Sequence, residues 1–329
     1  MSKVNVPEIL IGDEKLKEFL SKGIKRTEEF LEIESASPYD PLTEITQHLL
    51  LAGGKRIRPV LVFLSAQFGK LDIDRLAKVA AAIEFIHVAT LYHDDVMDEA
   101  LLRRGVESAN AKFGNTNAIL AGDFLFSRAS AIAAELGPHV VTTLADTLSV
   151  LCEGQIREAM GAGDSDPIKH YLEVLKQKTG SLIESSAALG AYLSGADDVV
   201  TAALSNYAQN IGLAFQISDD ILDLKGDSAK SGKMIGKDLL EGIHTLPVLS
   251  ALSLDKEESL KQLLVEVRKN PDLIQTIIDK VTNLGGFDVA TLHLESLIDQ
   301  AMTSLDSVPK GSARDALVQF AEWLTKRNS

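Results

Sequence analysis

The sequence predicts an all-α protein, and three observations carry that prediction. Apolar residues recur three and four apart over long stretches, as one face of a helix requires. Ala, Leu, Glu and Lys, all strong helix formers, dominate between the breaks. All nine prolines (Pro7, Pro38, Pro41, Pro59, Pro138, Pro167, Pro247, Pro271 and Pro309) fall where a helix can start or a linker can run. Alternating polar and apolar runs bounded by tight turns are missing, so no sheet is expected.

Taken in order, Ala52-Gly53-Gly54-Lys55-Arg56-Ile57-Arg58-Pro59 reads as a glycine turn leading into a helix that starts at Pro59. Ile73–Met97 carries apolar residues at 73, 76, 77, 80, 83, 86, 88 and 91, a helical spacing. Leu136-Gly137-Pro138 is a helix stop followed by a proline-started helix. Asp197–Asp223 repeats the helical pattern through Val200, Leu204, Tyr207, Ile211 and Ala214. Breaks are expected at Gly161–Pro167, Gly226–Gly236 and Gly285–Gly286, the second with the small, charged composition of a mobile loop. No low-complexity linker and no fixed-period repeat divides the chain, so residues 1–329 read as one domain.

Composition excludes several classes of function. Of 329 residues, 33 are Lys or Arg and 47 are Asp or Glu, a net charge of −14. Non-specific nucleic-acid binding needs the opposite sign to displace counterions from phosphates. The single cysteine, Cys152, rules out an intrachain disulfide framework and a thiolate metal cluster within one chain. The first thirty residues mix both charge signs without a long apolar core, so no secretory signal is expected. The richest apolar run, Val79–Tyr92, is interrupted by Glu84 and His87 and falls short of the roughly 18 residues of a membrane span. A cytoplasmic protein without stable membrane insertion is the expectation.

Two segments resemble each other, His93-Asp94-Asp95-Val96-Met97-Asp98 and Ser218-Asp219-Asp220-Ile221-Leu222-Asp223. Both read D-D-x-x-D at the C-terminal end of an apolar helix. At about 100° per residue the three carboxylates stand near 0°, 100° and 40°, on one face of each helix. Stacked like charges on one turn repel, and crowded carboxylates beside apolar residues resist ionising together. A hard cation relieves both. Mg²⁺, which keeps several waters and shares substrate phosphates, suits a few carboxylates better than a closed protein cage does. Lys55, Arg56 and Arg58 follow two glycines and precede a helix, where backbone amides and the positive helix end favour an anion. Arg103-Arg104 follows the first aspartate motif closely, either as salt-bridge partners or as a bidentate grip on phosphate. Together these make a site for two anionic groups, one reached through metal and one held directly.

The motifs G-G-K-R-I-R-P, H-D-D-V-M-D-E-x-x-x-R-R-G, G-D-F-L-F-S-R-A, K-T-G and Q-I-S-D-D-I-L-D, in this order from Leu42 to Pro247, resemble the trans-isoprenyl diphosphate synthase (polyprenyl synthetase) family. The resemblance implies a helical bundle around a deep central cavity, the isoprenoid synthase fold, in a homodimer. It implies a prenyltransferase that condenses isopentenyl diphosphate head-to-tail with an allylic diphosphate. Lys55, Arg58, His87 and Arg104 match the grip on isopentenyl diphosphate. Asp94, Asp95, Asp98, Asp219, Asp220 and Asp223 match the metal motifs, with about three Mg²⁺ ions per site when substrate is bound. Arg103, Lys178, Thr179, Gln216 and Lys233 match contacts to the allylic substrate. Of these, Lys178, Thr179 and Gln216 match the groups that steady the allylic cation, while Lys233 and Lys237 are candidates for a closing lid. No side chain is an evident general base, which leaves the departing pyrophosphate for that role. Ala89 and Thr90, with Phe85 and Ile86 deeper, match positions that set product length. Their small size at 89 and 90 implies an all-trans product longer than farnesyl. One departure stands in Glu241-Gly242-Ile243-His244-Thr245-Leu246-Pro247, where the family pattern E-G-K-x-T-L-P has lysine in place of Ile243.

Three other readings compete. Glu84-x-x-His87 and Glu241-x-x-His244 are both E-x-x-H, the pattern of a di-iron carboxylate bundle. Gly242 and Pro247 flank the second copy, however, and mark a helix end where that site needs a helix centre. A terpene cyclase of the same fold has no use for Lys55 and Arg58, and 5% aromatic residues are a thin supply for cradling successive cations. A catalytically silent partner subunit fits poorly with two complete aspartate motifs.

Overall fold

A computed structural model describes residues 12–226 and 235–326, and these are helical almost throughout. The helices in chain order begin with α1 (Glu14–Glu34), α2 (Asp40–Leu51), α3 (Ile57–Ser65), α4 (Ile73–Met97), α5 (Ala109–Phe113), α6 (Asn115–Leu136), α7 (Pro138–Met160) and α8 (Pro167–Leu175). A π-turn, Lys176–Gly180, leads to α9 (Ser181–Ser194) and α10 (Asp198–Lys225). The chain continues with α11 (Lys237–Glu241), α12 (Leu246–Leu254), α13 (Ser259–Glu266), α14 (Ile274–Asn283), α15 (Gly286–Ser304) and α16 (Ser312–Lys326). Contacts divide the chain into two compact units, one of Met1–Ser149, Leu182–Ala208 and Leu305–Leu317, the other of Val150–Ser181, Gln209–Ser304 and Val318–Ser329.

The first unit is built on α4. Asp72 caps that helix by accepting from the Arg75 amide at 3.1 Å, so the chain enters it at a defined residue. Every side chain from Val79 to Ile86 is buried, on all sides of the helix. A helix apolar all round belongs in the middle of a core, and α1, α3 and α6 pack around this one. Gly122 lets α6 come close: a Cβ there would stand 2.4 Å from His93 Nε2 and 3.3 Å from the Ala89 carbonyl oxygen.

The second unit holds the later half of α10 and the helices that follow it. Asp166 and Pro167 start α8, the Asp166 carboxylate accepting from the Ile168 amide at 2.9 Å. Helix α12 is its apolar centre, with Leu246, Val248 and Ala251 fully buried and α8, α13, α14 and α15 packed on it.

Several sequence expectations hold. One helix stops at Leu136 and the next starts at Pro138. Gly285, at φ +79°, separates α14 from α15. Two expectations fail. The helix after the glycine turn starts at Ile57, with Arg56 in the left-handed region at φ 47° as its N-cap, so Pro59 lies inside the first turn. A short ladder also exists where no sheet was expected: β1 (Leu102–Arg103) pairs antiparallel with β2 (Val106–Glu107). Four residues are too few to show alternation, and Arg104 (φ 55°) with Gly105 (φ 79°) makes the two-residue turn that joins them. Lys233 lies outside the described residues. No helix among the described residues is long and apolar enough to cross a membrane.

Candidate active site

In the first unit the basic residues split into two roles. Arg56 is buried and turned inward: its Nε donates to Glu28 Oε1 at 2.5 Å, Nη1 to Glu84 Oε2 at 2.9 Å, and Nη2 to the Leu50 carbonyl at 3.1 Å. The turn before α3 is thereby tied to both α1 and α4, and Arg56 has few donors left for a ligand. Lys55 is exposed and Arg58 half-buried, with the Arg58 Nε buried and without a hydrogen-bond partner among the described residues. Arg104 donates through Nη1 to the Leu49 carbonyl at 2.8 Å, and its Nη2 lies 3.5 Å from His87 Nε2. Burial pulls the Arg58 and Arg104 guanidinium groups below the ordinary arginine value, against the attraction of Glu84. Burial also holds His87 well below the usual histidine range, reinforced by the charges of Arg58, Arg104, Arg56 and Arg103. A neutral His87 among four arginines is a cationic cup with a hydrogen-bonding ring in it.

The first aspartate motif ends α4. Asp94 is half-buried and Asp98 exposed, whereas Asp95 is fully buried. Asp95 Oδ1 accepts from Arg103 Nε at 2.7 Å and Nη2 at 2.5 Å, which anchors β1 beneath the helix end. The expectation of three carboxylates on one face therefore holds for Asp94 and Asp98, and the third, 100° away, is spent on Arg103.

The second motif repeats this division in the second unit. Asp219 and Asp223 are half-buried, and Asp220 is buried. The Tyr171 hydroxyl, from α8, donates to Asp220 Oδ2, and the Gln216 Nε2 donates to Asp220 Oδ1 at 3.1 Å. That second bond orients the Gln216 amide, leaving its oxygen end on the other side. Burial pushes Asp220 up to about 7, opposed by the Tyr171 and Gln216 hydrogen bonds and aided by the charges of Asp238 and Asp219. Asp238, at the start of α11, is pushed up to about 6 by burial and by Asp223 and Glu241. Burial raises Asp223 too, against the Asp238 and Lys237 amides that donate to it.

Lys178 and Thr179 sit half-buried in the π-turn, a geometry in which the inserted residue costs a backbone carbonyl its usual helical partner. Gly154 makes room for it, since a Cβ there would stand 2.8 Å from Gln177 Cβ and 3.1 Å from the Lys178 amide nitrogen. Lys178 Nζ pairs with Glu158 Oε2 on α7 at 2.5 Å.

The carboxylates suit a hard divalent cation. The Asp223 Oδ2 atom is buried without a hydrogen-bond partner among the described residues, and burial together with nearby carboxylates (Asp238 and Asp219 at Asp220, Glu241 at Asp223) pushes Asp220 and Asp223 toward neutrality. Among the described residues no three His, Cys, Asp or Glu side chains gather closely enough to hold an ion by themselves.

Residues 39–281 match the sequence profile of the polyprenyl synthetase family. This chain belongs to the polyprenyl synthetase family. It is 46% identical over 244 residues to the nonaprenyl diphosphate synthase of Mycobacterium tuberculosis, covering 74% of this chain and 73% of that one. Component 2 of the heptaprenyl diphosphate synthase of Geobacillus stearothermophilus is 40% identical over 94% of this chain and 97% of its own length. Among solved structures, the geranylgeranyl pyrophosphate synthase of Corynebacterium glutamicum, complexed with calcium and isoprenyl diphosphate, superposes with a TM-score of 0.86 at 37% identity, covering 96% of this chain and 98% of that one. The synthetase has the all-α isoprenoid synthase fold and is a prenyltransferase.

The polyprenyl synthetase thus gathers Arg58, His87 and Arg104 in one place, with Lys55 exposed on the same turn. Of the length-setting candidates, Thr90 is half-buried on the side of α4 that bears His87 and Asp94, while Phe85, Ile86 and Ala89 are buried. Sequence reasoning missed Glu28, Tyr171 and Asp238 and gave Glu84 no role beside Arg56; the partners of Glu28, Glu84 and Tyr171 lie 28, 28 and 49 residues away. It counted Arg56 with the anion-binding cations, and the structure turns it inward. Glu241 ends α11 at Gly242, φ 79°, so the second E-x-x-H is not a helical pair and the di-iron reading fails.

Proposed function

We propose that this synthetase extends an allylic diphosphate with isopentenyl diphosphate to all-trans products longer than farnesyl. The observation that carries the reading is the cationic cup of Arg58, Arg104 and neutral His87, with a buried Arg58 Nε–H that no carboxylate among the described residues satisfies. Lys55, Arg58, His87 and Arg104 hold the diphosphate of isopentenyl diphosphate directly, the guanidinium groups through paired hydrogen bonds. Asp94, Asp98, Asp219 and Asp223 hold the divalent cations, which we take to be Mg²⁺; bound there, the cations neutralise charge on a leaving diphosphate. Asp95 and Asp220 position rather than ligate, the first through Arg103, the second through Gln216. Arg103 and Lys178, with Lys233, grip the allylic diphosphate. For Lys178 this means exchanging Glu158 for the substrate.

The Thr179 turn and the Gln216 amide oxygen face the allylic carbon with dipoles but no strong nucleophile, so a cation there is steadied without being captured. The isopentenyl double bond attacks that carbon, and the released pyrophosphate takes the proton. Relatives named heptaprenyl and nonaprenyl diphosphate synthases support a long chain, as does Thr90 on the substrate face of α4. The calcium and isoprenyl diphosphate of the Corynebacterium structure support a divalent cation and an isoprenyl diphosphate here. A homodimer in the cytoplasm, with residues 1–329 acting as one synthase domain, completes the reading.

The test is direct. Purified protein with farnesyl diphosphate, labelled isopentenyl diphosphate and Mg²⁺ should yield prenyl chains longer than farnesyl on chromatographic sizing. Farnesyl diphosphate left unextended overturns the assignment of products longer than farnesyl, and a cyclic hydrocarbon overturns chain extension altogether.

A further inference from the structure

We propose that Glu84 is the counter-charge of the isopentenyl diphosphate grip, a positioning residue that keeps the arginine cluster assembled while empty and weakens its hold on diphosphate. The proposal rests on reading that cluster as the grip. Glu84 lies one turn before His87 on α4, is only 2% exposed, and accepts from Arg56 Nη1 at 2.9 Å. A Cβ placed on Gly54 would stand 3.5 Å from Arg56 Nη1 and 3.6 Å from Arg104 Nη2, so the two guanidinium groups converge on one point. Arg104 Nη2 in turn lies 3.5 Å from His87 Nε2. Like charges this close, and this far out of water, repel strongly.

Among the described residues, Asp95 pairs with Arg103, and Glu28 and Glu84 pair with Arg56. Glu28 takes the far side of Arg56, through Nε at 2.5 Å and Nη2 at 3.2 Å. Glu84 faces inward, and its attraction is also what opposes burial at Arg58 and Arg104. This gives work to an E-x-x-H pair that no metal needs: the glutamate balances the charge and the histidine completes the cup.

The sign follows from Coulomb's law. Replacing Glu84 by Gln removes attraction to the arginines whether or not an anion is bound. It removes repulsion of the anion only in the complex. Glu84→Gln should therefore lower the melting temperature of the empty protein and tighten its diphosphate binding, roughly three- to tenfold.

The experiment titrates inorganic pyrophosphate into the full chain in Mg²⁺-free buffer, alongside KM for each substrate. Tighter pyrophosphate binding and a lower KM for isopentenyl diphosphate, with KM for the allylic substrate unchanged, are expected of Glu84→Gln. Glu84→Asp, which keeps the charge, should restore wild-type affinity. Glu28→Gln should destabilise without tightening. Unchanged or weaker pyrophosphate binding in Glu84→Gln overturns the counter-charge. Should that variant fold only with millimolar pyrophosphate present, the proposal stands; failure to fold even then overturns it. Arg58→Gln distinguishes the two levels: if it leaves pyrophosphate affinity unchanged, the grip reading itself falls.

Discussion

His87 offers the sharpest test of the electrostatics, because its neutrality in the folded protein has a calculable consequence. Burial and four neighbouring arginines hold its folded-state pKa well below the unfolded value of about 6.5. A histidine depressed in this way contributes stability above pH 6.5 and loses it as pH falls, since only the unfolded chain takes up the proton. Between pH 7.5 and 5.5 that loss is on the order of 1 kcal/mol. His244, depressed by its own burial, loses stability in the same direction. The raised acids Asp220 and Asp238 run the opposite way in any variant that keeps them. Comparing wild type with His87→Gln therefore isolates one residue, and the glutamine oxygen can still accept from Arg104. The assay is urea unfolding of metal-free protein at pH 7.5, 6.5 and 5.5. Wild type should lose on the order of 1 kcal/mol more than His87→Gln across that range. Saturating pyrophosphate should shrink the difference, because the anion offsets the arginines. Parallel pH dependences in the ligand-free proteins, within about 0.5 kcal/mol, would refute the argument that these arginines surround an uncharged ring.

Other consequences can be checked separately. Burial raises Asp220 to about 7, so its ionised form costs stability progressively as pH rises from the unfolded value of about 3.8 through about 7. Asp220→Asn should stabilise metal-free protein against urea at pH 8 by about 1–3 kcal/mol, while turnover falls at least about tenfold. Ala89 is fully buried against the close approach of α6. Ala89→Tyr should consequently cost about 1–3 kcal/mol of stability by overpacking, read as a lower melting temperature, besides any shortening of product. Thr90→Phe, on the His87 side, should shorten the product with little change in melting temperature; unaltered products from both variants would remove α4 from the control of length. Gly154→Val presses on the π-turn and should lower kcat while leaving KM for isopentenyl diphosphate near wild type. Chelation of divalent cations should abolish turnover, and added Mg²⁺ should restore it.

The helices were legible because each is written locally. Asp72 starts α4, Pro138 starts α7, and Gly285 parts α14 from α15 through residues that act on their own neighbours. The same holds for the chemistry concentrated in short motifs, the two D-D-x-x-D turns and the glycine turn before Arg58. Where the sequence misled, an effect of few residues or long range decided the outcome. The Leu102–Glu107 hairpin is too short for alternation to register, and the left-handed Arg56 moved a helix start ahead of its proline.

By itself, then, the sequence determined the helical class, the family chemistry and the acidic and basic residue types that a diphosphate and its cations require. Only the tertiary structure decided which member of each motif is buried and which is left accessible. Asp95 and Asp220 turn inward because Arg103, Tyr171 and Gln216 satisfy them there, and Arg56 because Glu28 and Glu84 do. A buried charge must be matched at hydrogen-bonding distance; Arg103 and Gln216 lie 8 and 4 residues from the aspartates they match, but Glu28, Glu84 and Tyr171 lie 28, 28 and 49 residues from their partners. Chain spacing carries no record of those longer pairings; packing creates them.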